Sequence, residues 1–177
     1  MNVFYVDRVP GVAARDLCNQ HIVKMPIECA QMLANCFSKE QLAADGVPRT
    51  QKGTVRKYSY YNHPCSKWLR ESRGNMRWLV LHGLAMCEEK RVRYPGKPAL
   101  FVEGFLHWCA CHIHDSLVPE GDFTTPPLCM PDEYKQDDPV EAYRDFYCGE
   151  KMSFAVWPAH RTPEWAVLRA TIQAMSP

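Results

Sequence analysis

The sequence predicts a mainly α-helical fold, with one compact domain over residues 1–177 and a short β-strand at its N-terminus. A chain of 177 residues has the length of one ordinary domain. Hydrophobic residues make up 46% of it, which is enough to build a core and too many for a disordered chain. Apolar residues recur at the spacing of helix turns, and several segments begin with a capping residue followed by proline.

The first third of the chain contains a predicted strand, a long helix and a loop. Residues 2–6 form a short β-prone run, which we expect to be a strand. Residues 12–37 place apolar side chains at helical spacing, and Pro26 should kink or split this helix because it lacks an N–H group. Residues 39–61 are polar and contain glycine and proline, so we expect a long loop there.

Four more helices are predicted in the remainder of the chain. The clearest covers residues 64–94, begins with a proline and has Asn62 or His63 as its cap. Another is predicted over residues 99–116, before a proline-rich loop. Asp-Pro and Thr-Pro steps begin the last two helices, which we expect over residues 139–148 and 163–175.

The charge and cysteine content limit the possible classes of protein. A net charge of +1 counts against broad non-specific binding of nucleic acid. Residues 49–77 are nevertheless locally basic, with Glu71 as their only acid, so a patch that faces phosphate is possible. The nine cysteines are odd in number and scattered, which favours free thiols, since we find no signal peptide. No apolar run is long enough to cross a membrane, so we expect no membrane partner.

The first candidate site lies on the first helix. His21, Lys24, Glu28 and Gln31 follow one another at i, i+3, i+7 and i+10, which places them on one stripe of a helix. A histidine, a lysine and a carboxylate in one line can supply a proton-transfer group, a cation and a base. The alternative is a solvated polar face with one Lys–Glu pair at i, i+4.

The second candidate site is the start of the helix after Asn62 and His63. Free N–H groups at a helix N-terminus can hold an anion, and Lys67 and Arg70 follow in the first turns. This pattern fits phosphate binding. A capped helix with a salt-bridged outer face explains it equally well.

A third cluster, His107, Cys111 and His114, has the residue types of a zinc site but not a standard zinc spacing. A histidine-rich helix edge is the simpler interpretation, and we therefore expect no metal ion.

A fourth group lies later in the chain. Asp132 and Tyr134 lie in a loop, and Tyr143, Arg144, Tyr147 and Lys151 follow on a helix. Their aromatic and cationic side chains could stack on a base and hold its phosphate. The alternatives are core packing for the two helical tyrosines and exposure on the helix surface for Arg144 and Lys151.

Several common catalytic motifs are absent. The sequence has no GxSxG elbow, no phosphate-binding GxxxxGK[ST] loop, no GxGxxG and no HExxH. A hydrolase, kinase or dehydrogenase of a standard type is therefore not expected.

Motifs spread along the chain match one family of phage proteins. They are Asn2-Val3-Phe4-Tyr5-Val6-Asp7, Ala13-Ala14, His21-Ile22-Val23-Lys24-Met25 with Glu28 and Gln31, Asn62-His63-Pro64-Cys65 with Trp68, Met130-Pro131-Asp132-Glu133-Tyr134-Lys135, Tyr143-Arg144 and Pro163-Glu164-Trp165. On these motifs the chain resembles the amino acid:DNA transferases of thymine hypermodification, whose relatives are often labelled pyrimidine-dimer DNA glycosylases. The similarity touches nearly the whole chain except residues 38–57 and 97–128. It departs from the family at Asn19 and Gln20, where relatives carry an acidic residue and a lysine.

The resemblance implies a substrate and a reaction. The substrate would be DNA that contains 5-hydroxymethyluracil phosphorylated or pyrophosphorylated by a partner DNA base kinase. The enzyme would expel the phosphate and attach a free amino acid such as glycine, in the cytoplasm of the infected bacterial host and without a cofactor. The residues implied as catalytic are His21, Lys24, Glu28 and Asp7, of which His21 or Glu28 would be the base and Asp7 would orient it.

The resemblance also implies a set of residues that bind substrate and DNA. Lys24, Arg70 and Arg144 would stabilise the leaving phosphate. Tyr134 and Trp157 would pack on the target base, which must leave the helical stack or lie in a single strand. The other implied contacts to substrate and DNA are Arg8, Gln31, Asn62, His63, Lys67, Asp132 and Lys151.

Two other functions compete with the transferase. A DNA glycosylase acting on damaged pyrimidines would use Lys24 as an imine-forming nucleophile, which needs a buried amine of lowered pKa. A non-catalytic helical module that binds DNA or another protein would keep its binding after substitution of His21 or Lys24. A helical fold does not by itself distinguish the three.

Overall fold

The computed structural model describes residues 1–158 and 161–175, and all regular secondary structure within them is helical. These residues form eight α-helices and two short 3₁₀ helices, at residues Ile113–Asp115 and Asp132–Tyr134, and no strand. The α-helices are α1 (Pro10–Asp16), α2 (Asn19–Ala34), α3 (Lys39–Ala43), α4 (Pro64–Leu69), α5 (Arg73–Arg93), α6 (Glu103–Cys111), α7 (Pro139–Lys151) and α8 (Glu164–Met175).

Helix α5 is the centre of the packing. It contacts α1, α2, α4 and α6, while α7 and α8 pack against each other. Its buried side chains include Met76, Leu79 and Met86, and they belong to one hydrophobic core that extends from Val3 to Ala166. The prediction of a mainly helical fold is confirmed. No helix in the described part of the chain is long and apolar enough to span a bilayer.

The predicted N-terminal strand is wrong. Residues 2–6 are extended or irregular, pair with no other strand in the described chain, and run buried between helices. Phe4 has a positive φ of 48°, which breaks the extended path. The Asn2 side chain accepts hydrogen bonds from the backbone nitrogens of Val3 (2.7 Å) and Phe4 (3.1 Å) in place of a ladder partner. The apolar residues that mimic a strand are therefore explained by burial, which β-propensity largely reflects.

The long first helix is divided, but not at Pro26. Pro26 lies inside α2, which continues through it at the cost of one backbone hydrogen bond. The break comes earlier, at Leu17 and Cys18, whose backbones are extended. The backbone nitrogen of Cys18 donates to the Tyr147 hydroxyl at 3.0 Å, so a contact from α7 satisfies the start of α2.

The predicted helix over residues 64–94 is also two helices. His63, one of the two cap residues that the sequence predicts, caps α4. Its Nδ1 accepts from the Cys65 backbone nitrogen at 3.2 Å. The chain turns at Arg70, and Ser72 then caps α5 by accepting from the Asn75 nitrogen at 3.1 Å. Serine is a strong N-cap, so Ser72 begins a new helix two residues after the turn at Arg70.

Smaller differences follow from capping residues. The predicted loop over residues 39–61 contains α3, which has a full capping box between Ser38 and Gln41. The predicted helix over residues 99–116 is shorter, because α6 ends at Cys111 and a 3₁₀ turn follows. Helix α7 begins as expected, with Asp138 accepting from the Val140 nitrogen at 2.8 Å.

Candidate functional site

His21 is buried rather than exposed on a polar stripe. It is 5% exposed, and its ring stacks on Phe4 with ring centroids 4.6 Å apart. Tyr147 and Phe154 meet it edge-on, and the Tyr147 hydroxyl lies 2.6 Å from Nδ1. Sequence spacing places His21 beside Lys24, but the structure turns the two side chains to different environments.

The environment of His21 keeps its ring neutral. Burial, together with the positive charges of Lys24 and Lys151, lowers the pKa of His21 to about 4. The Tyr147 hydroxyl accepts from the Cys18 nitrogen and shares a hydrogen bond with Nδ1 of the neutral ring, whose direction is set by the ring tautomer. This chain of hydrogen bonds ties α2 to α7.

Glu28 is the centre of a polar cluster at the start of the chain. Its side chain is 13% exposed, and Oε1 lies 3.4 Å from the Lys24 Nζ, whose side chain is 68% exposed. Oε2 accepts from the Asn2 backbone nitrogen at 3.2 Å and lies 3.8 Å from the amino group of Met1. A half-buried carboxylate thus faces nitrogen groups only, with one flexible ammonium on its solvent side.

Two cysteines and a histidine adjoin this carboxylate. The ligand atoms of His63, Cys65 and Cys129 all lie within 4.8 Å of one another. The Cys65 thiol donates to the Cys129 sulfur at 3.5 Å, which lowers the pKa of Cys129 to about 7 and raises that of Cys65. Burial and the nearby amino group of the chain lower the pKa of His63, although the charge of Glu28 opposes them. We call Lys24, Glu28, Asn2, His63, Cys65 and Cys129 the Glu28 cluster.

Asn2 connects the two halves of the Glu28 cluster. Its backbone nitrogen donates to Glu28, and its side-chain Nδ2 donates to the Cys129 carbonyl oxygen at 2.9 Å. Sequence reasoning missed Cys65 and Cys129 as site residues, because they are 64 positions apart and no motif links them. The short N-terminal segment that was expected to be a strand is what brings α2 and residue 129 together.

Arg144 and Asp7 form a second polar group, on the side of α7. The Arg144 Nη2 lies 3.6 Å from Asp7 Oδ2, Nη1 donates to Glu141 at 3.0 Å, and Nε donates to the Val6 carbonyl at 2.9 Å. Asp7 and Arg144 line a cavity of about 960 Å³ together with Trp165. The structure brings these two predicted residues together, but every nitrogen of the guanidinium already faces an acceptor.

Gln31 lies in a groove beside the Glu28 cluster. Residues of α2, the loop over residues 50–59 and the segment before α6 enclose a cavity of about 790 Å³, and Gln31 lies on its α2 wall. Arg56 and Lys57 add positive charge to the opposite wall. Arg56 is fixed there, since its guanidinium stacks 4.2 Å over the Phe105 ring and donates to backbone carbonyls.

The predicted phosphate site at α4 is less compact than the sequence pattern indicates. Asn62 and Lys67 are exposed. Arg70 stacks 3.6 Å over the Tyr61 ring and donates to its carbonyl at 3.0 Å, while its Nη1 is buried with no hydrogen-bond partner in the described chain. Helix α4 also ends at Leu69, so Arg70 lies at the turn and not on the helix stripe.

The remaining predicted contacts are spread over the surface around α7 and the N-terminal segment. Tyr134 packs against Phe146 and donates to Glu150 at 3.2 Å, and the Trp157 indole donates to a backbone carbonyl at 3.0 Å. Both rings are half-buried in packing contacts. The other residues predicted to contact substrate or DNA in this region make ion pairs or ring contacts. Arg8 pairs with Asp138, Asp132 pairs with Lys135, and Lys151 lies over the Phe146 ring.

The Glu28 cluster is therefore the best-formed chemical site among the predicted residues. It combines the half-buried Glu28 carboxylate and the exposed Lys24 ammonium with a group of one histidine and two thiols, and Asn2 hydrogen-bonds to both halves. A carboxylate of this kind can take a proton, and the ammonium can hold an anion. His21 is instead buried among Phe4, Tyr147 and Phe154, and its hydrogen bond to Tyr147 links α2 to α7.

Comparison with known proteins identifies the family of the chain. The family model described as pyrimidine dimer DNA glycosylase matches residues 1–100, more than half of the chain, including Lys24, Glu28, His63 and Cys65. No curated protein and no solved structure matches the chain. This description is that of an enzyme that acts on DNA. The chain belongs to the pyrimidine dimer DNA glycosylase family.

Proposed function

We propose that the chain attaches an amino acid to phosphorylated 5-hydroxymethyluracil in DNA, with the Glu28 cluster as its reaction centre. The observation that supports this is the pair of Glu28 and Lys24. A carboxylate that is 13% exposed lies 3.4 Å from an ammonium that is 68% exposed. The carboxylate suits a base, and the mobile ammonium suits a phosphate that must bind and leave.

The reaction balances with these two groups. The ammonium group of the amino acid loses a proton to the Glu28 carboxylate, and its lone pair forms a C–N bond to the methylene carbon on the base. The C–O bond to the phosphate breaks, and the phosphate leaves with the bonding electron pair. Lys24 neutralises the charge that develops on the leaving oxygen. Glu28 suits the base better than His21, since the His21 ring is 5% exposed and its Nδ1 is already hydrogen-bonded to the Tyr147 hydroxyl.

The groove beside α2 supports access by DNA. Its wall carries Gln31 and, across from it, Arg56 and Lys57, and its cavity of about 790 Å³ is large enough for an extruded base. An amide such as that of Gln31 can hydrogen-bond a pyrimidine edge. The two cations across the groove suit the flanking phosphates.

A glycosylase is the second candidate, because the matched family is described by that activity. In it, an amine would attack the deoxyribose and form an imine. Lys24 is a poor candidate for that amine, since a nucleophilic lysine needs a desolvated site and the Lys24 side chain is 68% exposed. This exposure supports phosphate binding over imine formation at Lys24.

Nucleoside mass spectrometry tests the transferase directly. The protein is incubated with DNA that contains phosphorylated 5-hydroxymethyluracil and with an amino acid pool, and the DNA is digested to nucleosides. We expect a new thymidine adduct with the mass of an amino acid joined through nitrogen. Glu28→Gln should lower its rate by about 10²- to 10⁴-fold, as loss of a general base does.

A matched control separates the chemistry from folding. Glu28→Gln keeps an oxygen that can accept from the Asn2 nitrogen, so its melting temperature should stay close to that of the wild type. Glu40→Gln changes an exposed carboxylate on α3 and should keep full activity. Base release from ultraviolet-damaged DNA, with borohydride trapping of the protein on the DNA and no adduct, would instead establish the glycosylase.

A further inference from the structure

The cysteine and histidine side chains of the Glu28 cluster have the arrangement of metal ligands. His63 and Cys65 come from the start of α4, and Cys129 comes from the loop that precedes the 3₁₀ helix Asp132–Tyr134. Their ligand atoms lie within 4.8 Å of one another, and the two sulfur atoms are 3.5 Å apart. Among the described residues, His63, Cys65 and Cys129 are the three potential metal ligands whose ligand atoms approach one another this closely.

The sulfur–sulfur distance excludes a disulfide and is compatible with a shared metal ion. Two thiolates on a tetrahedral zinc ion, each at roughly 2.3 Å, are separated by roughly 3.8 Å. A disulfide bond is about 2.05 Å long. The observed 3.5 Å is that of a thiol–thiol hydrogen bond, and a small separation of the two sulfur atoms would bring them to the edge length of the metal tetrahedron.

We infer that His63, Cys65 and Cys129 bind one zinc-type divalent ion, with a fourth coordination position open to water or to a substrate atom. Two thiolates and one imidazole form a soft ligand set that selects zinc over magnesium or calcium. Three protein ligands with one open position are the pattern of catalytic zinc sites, whereas structural sites have four. Cys65 is buried while His63 and Cys129 are half-buried, so the site is enclosed on one side and accessible on the other.

Hydrogen bonds behind the ligands hold them in position. Asn2 Nδ2 donates to the Cys129 carbonyl at 2.9 Å, and the Tyr143 hydroxyl accepts from the Cys129 nitrogen at 3.5 Å while it donates to the Pro127 carbonyl at 2.7 Å. These contacts fix the loop that carries Cys129 against α7. Such outer contacts orient metal ligands and contribute to metal affinity.

Binding requires modest changes in the cluster. The His63 Nδ1 lone pair accepts from the Cys65 nitrogen at 3.2 Å, so coordination through Nδ1 would replace this capping bond and coordination through Nε2 would keep it. The two thiols release their protons to solvent as they become thiolate ligands. The inference does not depend on the transferase proposal, because the ligand geometry is the same whichever reaction the family member performs.

Cobalt binding gives a direct test. The full-length chain is reduced, freed of metal with a chelator and titrated with Co²⁺, whose thiolate charge-transfer and d–d absorption bands report ligand type and coordination number. We expect one equivalent to bind with thiolate bands and four-coordinate d–d bands, and Zn²⁺ to displace it. Cys129→Ser should weaken binding by about a hundredfold or more, since even loss of an outer contact costs 10- to 100-fold.

The control variants separate ligation from folding. His63→Asn removes the imidazole but keeps a good helix cap, so the apo protein should melt near the wild-type temperature and lose the rise in melting temperature that Zn²⁺ causes. Cys148→Ser replaces a half-buried cysteine outside the cluster and should bind Co²⁺ as the wild type does. A cobalt spectrum without thiolate bands, or equal affinity in Cys129→Ser and Cys148→Ser, would overturn the inference.

Discussion

Lowering the pH should destabilise the protein through His21, and a variant of that residue isolates the effect. Burial lowers the pKa of His21 from 6.5 to about 4. Between these values the unfolded chain binds a proton that the folded chain does not, so stability is fully present above pH 6.5 and is lost as the pH falls toward 4. With 1.36 kcal/mol for each pKa unit, the contribution lost is about 2 kcal/mol at pH 5 and about 3 kcal/mol at pH 4.

The assay compares the free energy of unfolding in urea for the wild type and for His21→Asn at pH 7, 5 and 4. Asparagine offers an oxygen close to the position of Nδ1 and cannot take up a proton in this pH range. The wild type should be the more stable protein at pH 7, and its advantage should shrink by about 3 kcal/mol at pH 4. Burial also lowers the pKa of His82 to about 4, but His82 is present in both proteins and its contribution cancels.

A pH-independent difference between the two proteins would refute this reasoning. It would mean that His21 takes up its proton in the folded state as readily as in the unfolded state. The aromatic contacts and the Tyr147 hydrogen bond would then fail to exclude the charged ring. The slope of the urea dependence provides a check that both proteins expose the same surface on unfolding.

The remaining predictions concern helix starts. Gly74→Ala should destabilise the protein by about 1–3 kcal/mol, because an added Cβ would lie 2.9 Å from the Asp122 carbonyl oxygen and closer still to the adjoining backbone. Gly11→Ala has open space around the added atom and should instead stabilise the protein by about 0.5–1 kcal/mol, because alanine has the higher helix propensity. Thermal unfolding of both variants tests this, since opposite shifts in melting temperature would show that crowding at Gly74 outweighs helix propensity. Ser72→Ala should lower the free energy of unfolding in urea by about 1 kcal/mol, because α5 loses its cap. Ser72→Thr keeps the hydroxyl and should lower it by less. Equal losses in the two variants would count against a capping role.

The candidate site shows how far helical spacing carries a functional prediction. The i, i+4 spacing of Lys24 and Glu28 predicts a pair, and the structure contains it at 3.4 Å. The same spacing argument places His21 on the polar stripe, where it is wrong, because the ring is 5% exposed among aromatic side chains. Helical spacing fixes which residues share a face, but it does not fix which part of that face another segment covers.

The sequence by itself determined the helical class, the starts of α4 and α7 and the resemblance to a DNA-acting family. These follow from signals within a few residues of one another, such as the His63 cap before Pro64 and Asp138 before Pro139. Only the tertiary structure decided the paths at residues 2–6, 17–18 and 70–72 and the meeting of Cys65 with Cys129. Those features depend on contacts between distant parts of the chain, and local spacing does not encode which distant partner satisfies a backbone group or a buried side chain.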